Sequence, residues 1–239
     1  MPDRFDTQTI VVTGGTGELG RHVTALLHSL GARVLVPFRS EQALQAFSER
    51  HPELSREVRF IRLDAQDGDK VLRAMEQWMA AEGVPHGLVN LIGGYAFGLP
   101  VAESTLDDLY RMLDLNLAPT FHFCRALVPH MLSAGRGRIV NVGARAGLEG
   151  TANHAAYSIA KSAVIRFTES LAAEVKHSHL NVNCVLPSII DTASNRRDMP
   201  NADFSRWVAP ADLAQVIAFL LSDGARAIHG ASLPVYGKA

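Results

Sequence analysis

The octapeptide TGGTGELG, residues 13–20, constrains this chain more than any other feature. It follows a β-branched run, TIVVT, and opens a segment of helical periodicity, ELGRHVTALLHSLG, that Gly31 is placed to close. Gly15, Gly17 and Gly20 stand in the G-x-G-x-x-G spacing. Glycines let a strand turn at once into a helix. The helix then offers its free N–H groups and the positive end of its dipole to an approaching pyrophosphate. The spacing alone is a weak signal, but between a chain's first strand and first helix it predicts a dinucleotide site. That site would be built from Gly14, Gly15, Thr16, Gly17, Glu18, Leu19 and Gly20.

The remaining sequence repeats the alternation. RVLVPF (33–38), VRFIRL (58–63), GLVNLI (87–92), GRIVNV (137–142), LNVNCVLP (180–187) and ASLPVY (231–236) read as strands, with helix-length segments between them. Near-continuous Val, Ile and Leu suit strands covered on both faces, as in a parallel sheet. Strand–helix alternation without a linker, repeat or low-complexity tract predicts a single α/β domain over residues 1–239. Its expected form is a doubly wound Rossmann-type fold with a mostly parallel sheet of about seven strands flanked by helices.

Composition closes off several functions. With 47% hydrophobic and 20% charged residues the chain can bury a core, and a net charge of -1 argues against general binding to nucleic acid or a membrane surface. The N-terminus has no apolar signal core, and no apolar run is long enough to span a bilayer. Cys124 and Cys184 lie far apart and read as buried thiols in a reducing compartment, so a cytoplasmic location is expected. The ten histidines form no metal-ligand spacing, and no metal site is expected.

Cofactor choice is read at the end of the second strand. Proteins that take NAD place Asp or Glu there for the ribose hydroxyls. Here the residues are Phe38, Arg39 and Ser40. A guanidinium pairs with a 2′-phosphate, so NADP(H) is favoured over NAD(H).

Tyr157 and Lys161, in AAYSIAKSAV, are four residues apart on a predicted helix and share one face. An ammonium beside a phenol favours the phenolate and makes the phenol a better acid near neutral pH. Taken together, the glycine loop, NLIGG, Asn116 in LDLNLAPTF, GRIVNV, YSIAK and PSIIDT resemble the short-chain dehydrogenase/reductase family along the whole chain. That resemblance implies a nicotinamide-dependent oxidoreductase with a small-molecule substrate. Tyr157 would donate the proton, Lys161 would lower its pKa and hold the ribose, and Asn116 would join a proton relay. It further implies that Asp64 contacts the adenine, that Ala65, Asn90 and Gly93 belong to the cofactor site, and that Pro187, Ile190 and Thr192 lie near the carboxamide. The apolar helical stretches holding Asn116 and Tyr157 resemble the family's subunit interface, which implies a homodimer or homotetramer.

Two positions depart from the family pattern. Glu18 replaces a loop glycine, and Ala144 stands where the family's serine hydroxyl would hydrogen-bond a substrate carbonyl. Losing such a donor costs a carbonyl reductase on the order of 2.7–4 kcal/mol of barrier. GARAGLEGT, the run NRRDMPNADFSRW, and IGGYAFG resemble the dihydropteridine reductase branch, which also lacks the serine. This implies reduction of a quinonoid dihydropterin, a conjugated ring with less need of the hydroxyl. Tyr95, Ala144 and Trp207 are the expected substrate contacts. The alternatives are a ketone or 3-oxoacyl reductase lacking its serine and, in a different class, a non-catalytic cofactor-binding sensor or structural subunit.

Overall fold

A computed structural model describes residues 4–96 and 98–238; the expected domain limits at residues 1–3 and 239, and Phe97, lie outside the described residues. In chain order the elements are β1 (Thr9–Thr13), α1 (Glu18–Ser29), β2 (Arg33–Phe38), α2 (Glu41–Arg50), α3 (Leu54–Glu57), β3 (Arg59–Arg62), α4 (Gly68–Glu82) and β4 (Gly87–Asn90). There follow α5 (Leu106–Asn116), α6 (Ala118–Ser133), β5 (Gly137–Val142), α7 (Ala155–Val175), β6 (Leu180–Pro187), α8 (Ala193–Asp198), α9 (Pro210–Leu221) and β7 (Ser232–Val235).

The seven strands form one sheet in the order β3-β2-β1-β4-β5-β6-β7, and every pairing is parallel. Each crossover carries helix, so apolar side chains cover both faces. Val12, Val34, Val36, Val89 and Val185 pack under α1 and α9 on one side. Val11, Leu35, Leu88, Ile139 and Val182 pack under α4, α6 and α7 on the other. All five residues of β1 are buried. Strand order reverses between β1 and β4, which pair with Thr13 opposite Asn90. Beyond the carboxyl ends of those two strands lies the crevice where doubly wound sheets take ligands.

Four strands keep the bounds read from sequence, whereas β3, β4 and β7 are shorter by one or two residues at an end. Gly31 closes α1 as expected, its N–H donating to the His28 carbonyl. The larger difference lies after β4. The apolar stretch around Asn116 is two helices, broken at Leu117. Pro119 is the cause: it has no N–H to give, its ring clashes with the carbonyl four residues back, and it disfavours helical geometry in the residue before it. The break leaves Asn116 as the last residue of α5, buried beneath the crevice.

Candidate active site

The glycine loop joins β1 to α1 with Gly17 at the N-cap position and no side chain capping the helix. A Cβ on Gly20 would overlap the Gly14 carbonyl oxygen and come within 2.7 Å of the Gly15 Cα. Gly20 therefore lets helix and strand meet closely. The exposed helix start and the close turn fit a pyrophosphate, as the spacing predicts. Glu18, the first residue of α1, turns its carboxylate across the loop to accept from the Ser194 N–H of α8 at 3.4 Å.

Arg39 extends into solvent at the end of β2, its side chain 72% exposed and 4.0 Å from an Asp64 carboxylate oxygen. Asp64 also accepts from the Gln66 N–H at 3.1 Å. The Ala65 carbonyl takes a hydrogen bond from His122 Nδ1 at 2.9 Å. Ser40 caps α2 by accepting from the Ala43 N–H.

Asn116 and Lys161 converge on Gly93. A Cβ there would lie 2.8 Å from Asn116 Oδ1 and 3.2 Å from Lys161 Nζ, so only a glycine leaves both groups in place. Asn116 Oδ1 accepts from the Gly94 N–H at 3.1 Å, and its Nδ2 donates to the Met112 carbonyl at 3.0 Å. Tyr157 and Lys161 lie one turn apart on α7, with Nζ 5.9 Å from the centre of the Tyr157 ring.

In this state the protonation of the pair differs from the sequence expectation. Lys161 donates to the Val142 carbonyl at 3.1 Å. Burial pushes the Lys161 ammonium down to about 8. Burial, with the neighbouring Tyr95, pushes the Tyr157 phenol up to about 12. Desolvation here outweighs the attraction of the ammonium, because Lys161 points to a backbone oxygen rather than to the phenol. Tyr157 is accordingly held protonated at neutral pH, the form a proton donor needs.

The remaining expected residues have different surroundings. Asn90 is buried, and its Nδ2 donates to Asn141 Oδ1 at 2.9 Å. Asn141 Nδ2 donates in turn to Thr168 Oγ1 at 2.9 Å, and that hydroxyl donates to the Val164 carbonyl. The side chain of Asn90 thus ties β4 to β5 and α7. One sign of this chain is legible in the sequence, an asparagine within the apolar run GRIVNV. Pro187 ends β6, Ile190 bridges to Val208, and the Thr192 hydroxyl is engaged as the N-cap of α8. Trp207 is buried and packs on Phe204 at 4.7 Å between ring centres, so its ring is taken up in packing.

Tyr95 lies beside Tyr157, edge to face at 5.1 Å between ring centres, and is 40% exposed. On its other side it stacks near His154, whose Nε2 meets its hydroxyl. His154 occupies the N-cap position of α7 without capping it. No spacing rule joins positions 59 residues apart, so the sequence does not signal this pair. Ala144 is 7% exposed, with its methyl group where the family pattern has a hydroxyl. Among the described residues no group of His, Cys, Asp or Glu is arranged to hold a metal ion.

Comparison with known proteins bears on this arrangement. The sequence model of the family described as short chain dehydrogenase matches residues 8–203. Galactitol 2-dehydrogenase of Rhizobium johnstonii is 35% identical, over 97% of this chain and 95% of its own. A short-chain type dehydrogenase/reductase from Mycobacterium ulcerans superposes with a TM-score of 0.91 at 27% identity, covering 98% of this chain and 90% of that one. A 3-oxoacyl-[acyl-carrier protein] reductase with bound NAD from Brucella melitensis superposes with a TM-score of 0.84 at 27% identity, covering 98% and 91%.

Proposed function

Because the chain belongs to the short-chain dehydrogenase/reductase family and is an NAD(P)-dependent oxidoreductase, we propose that it reduces flat conjugated rings, a quinonoid dihydropterin being the type case. Ala144 carries this reading. A ketone gathers negative charge on one oxygen as it is reduced and needs a donor there. A quinonoid ring spreads that charge as it rearomatises, and so has less need of the hydroxyl that Ala144 lacks. The ring of Tyr95, edge-on to Tyr157, suits the same shape.

The bound nicotinamide dinucleotide would supply the hydride. The glycine loop would bind its pyrophosphate, and Arg39, with no carboxylate at positions 38–40, supports NADP(H) over NAD(H). Tyr157 would hold the proton at its hydroxyl and release it to the substrate. Lys161 would offset the charge left on the phenol and, with Asn116 across Gly93, would orient the ribose side of the site. Retention of Tyr157, Lys161 and Asn116 in one cluster supports turnover over a non-catalytic sensor.

A second reading is reduction of isolated carbonyls or oxidation of polyols. It draws on the printed names of the relatives, galactitol 2-dehydrogenase and 3-oxoacyl-[acyl-carrier protein] reductase. We place the enzyme in the cytoplasm, in keeping with its two buried free cysteines and with the absence, among the described residues, of a helix long and apolar enough to cross a membrane.

The deciding experiment compares kcat/KM for quinonoid 6,7-dimethyldihydropterin, a 3-oxoacyl thioester and galactitol, in the parent chain and in Tyr157→Phe. Efficient pterin turnover that falls about 100-fold or more in Tyr157→Phe is expected. Turnover of only the thioester or the polyol would establish the second reading.

A further inference from the structure

At the opposite pole of the sheet from the glycine loop, the amino ends of β5 and β6 frame a second cleft of about 580 Å³, lined by Gly137 and Leu180. Its walls are basic. Arg136, Arg138, Lys176 and Arg226 line it, against the one carboxylate of Asp223 among the described residues. Asp223 is already engaged, accepting from Arg138 Nη2 at 3.1 Å. Arg138 Nη1 donates to Asn181 Oδ1 at 2.6 Å, and Asn181 Nδ2 donates to the Arg226 and Ile228 carbonyls at 3.1 and 2.9 Å. This fork ties β5, β6 and the segment after α9 together, so the cleft stands on rigid parts. Arg136, Lys176 and Arg226 have no carboxylate partner among the described residues. Cations are favoured at helix carboxyl ends, and Lys176 is the C-cap of α7. The Val175 carbonyl there is nonetheless taken, by the N–H and the hydroxyl of Ser178 at 2.9 and 2.7 Å. At the end of α6 the His130, Met131 and Leu132 carbonyls accept from the N–H groups of Ala134, Arg136 and Gly135. The side-chain cations are therefore not used up in capping these helices.

We propose that this cleft is a second ligand site, separate from the dinucleotide crevice, and that it binds a small polyanion of the diphosphate type. Like charges gathered around one cleft repel, and an anion held between them turns that repulsion into attraction. Arg136 and Arg226 present planar guanidinium forks that match phosphate oxygens two at a time, and Lys176 adds a point charge. The three cations come from three separate segments, before β5, after α7 and after α9, so two linked phosphate groups can engage more than one of them. His86 contributes a further donor. Its Nδ1 accepts from the Thr9 N–H at 3.2 Å, which leaves the hydrogen of the neutral ring on Nε2. Burial, with Arg136 and Arg33 nearby, holds that imidazole below its usual range and so keeps it neutral. The cleft volume lies within the range of sites that enclose small ligands. The assignment does not depend on which substrate Tyr157 reduces.

The test titrates inorganic pyrophosphate into the full chain at low ionic strength, with saturating NADPH to fill the glycine loop and the surroundings of Arg39. Calorimetry and the ³¹P resonance of pyrophosphate read the binding. One equivalent should bind, and sulfate, with a single tetrahedral group, should bind about tenfold more weakly. Arg136→Gln combined with Lys176→Gln should weaken pyrophosphate about tenfold or more, while the NADPH Kd stays within about twofold of the parent's. Both positions are exposed, so the fold should tolerate the change. If the double variant nevertheless fails to fold, Arg226→Gln alone gives the reading, and a severalfold loss is expected. ADP in the same titration separates the sources of a diphosphate: tighter binding than pyrophosphate assigns the site to a nucleotide, and equal or weaker binding assigns it to the diphosphate itself. A parent chain that binds no pyrophosphate by either method overturns the proposal. So does an affinity that the substitutions leave unchanged, and so does sulfate binding as tightly as pyrophosphate, which would reduce the cleft to a diffuse positive surface.

Discussion

Lys161 illustrates what a single buried charge costs and why it persists. Its ammonium drops from 10.5 to about 8 on folding, so the unfolded chain holds that proton more tightly. Stability rises with pH wherever the unfolded state binds more protons, which here is between about pH 8 and 10.5. Below that window both states are charged and the whole penalty is present, about 3 kcal/mol. Lys161→Met removes the charge and also the bond to the Val142 carbonyl, so the variant should be about 2 kcal/mol more stable near pH 7. Urea unfolding near pH 7 and again near pH 9.5 checks this, and the gap between variant and parent should narrow at the higher pH. Activity should be lost in the same variant, which would mark Lys161 as a residue kept for function at the expense of stability. Arg39 offers the complementary case at the surface. Arg39→Ala should weaken NADPH by about 1–3 kcal/mol and leave NADH nearly unchanged. Titration of nucleotide fluorescence reads both, and equal losses would refute the phosphate assignment. Neither residue's environment is visible in the sequence: the i, i+4 spacing places Lys161 beside Tyr157, but only the fold shows that its nitrogen reaches a β5 carbonyl.

Among the elements, α1 and α8 are joined by an unusual contact. Glu18 puts a carboxylate at the helix terminus where a pyrophosphate is expected, and directs it to the Ser194 N–H. Two anions at one helix start repel each other, by an amount that salt screens. Glu18→Gln keeps an acceptor for Ser194 while removing the charge. It should tighten dinucleotide binding about fivefold at low ionic strength, with the gain shrinking as salt is added. An affinity gain independent of salt would point to a steric cause instead. The sequence made the elements themselves largely legible. β1, β2, β5 and β6 run as their Val- and Ile-rich stretches indicate, because a strand buried on both faces has little freedom in composition. The break between α5 and α6 is not legible in the sequence. Pro119 is compatible with a helix start, and the apolar pattern continues through it without a polar interruption.

At the scale of the whole molecule, α5, α6 and α7 present Tyr110, Phe121 and Ile159 to solvent. Exposed large apolar side chains on these helices suit subunit association, and we propose that they belong to the interface of the homodimer or homotetramer implied by the family resemblance. Phe121→Glu combined with Ile159→Glu should shift the sedimentation of the purified chain toward the monomer; an unchanged profile would place the interface elsewhere. Fold class was legible from alternation alone, whereas the pairing of Tyr95 with His154 was not, since it depends on two loops meeting across the crevice. Strand order has a further consequence for the chain as it is made. β1 leaves the ribosome before the other six strands and lies inside the finished sheet, between β2 and β4, yet its partner β4 ends only at residue 90. Until then one edge of a strand built on Ile10, Val11 and Val12 stands unpaired. The nascent protein must shelter that edge through nearly eighty residues of synthesis, a vulnerability that belongs to its birth rather than to its folded life.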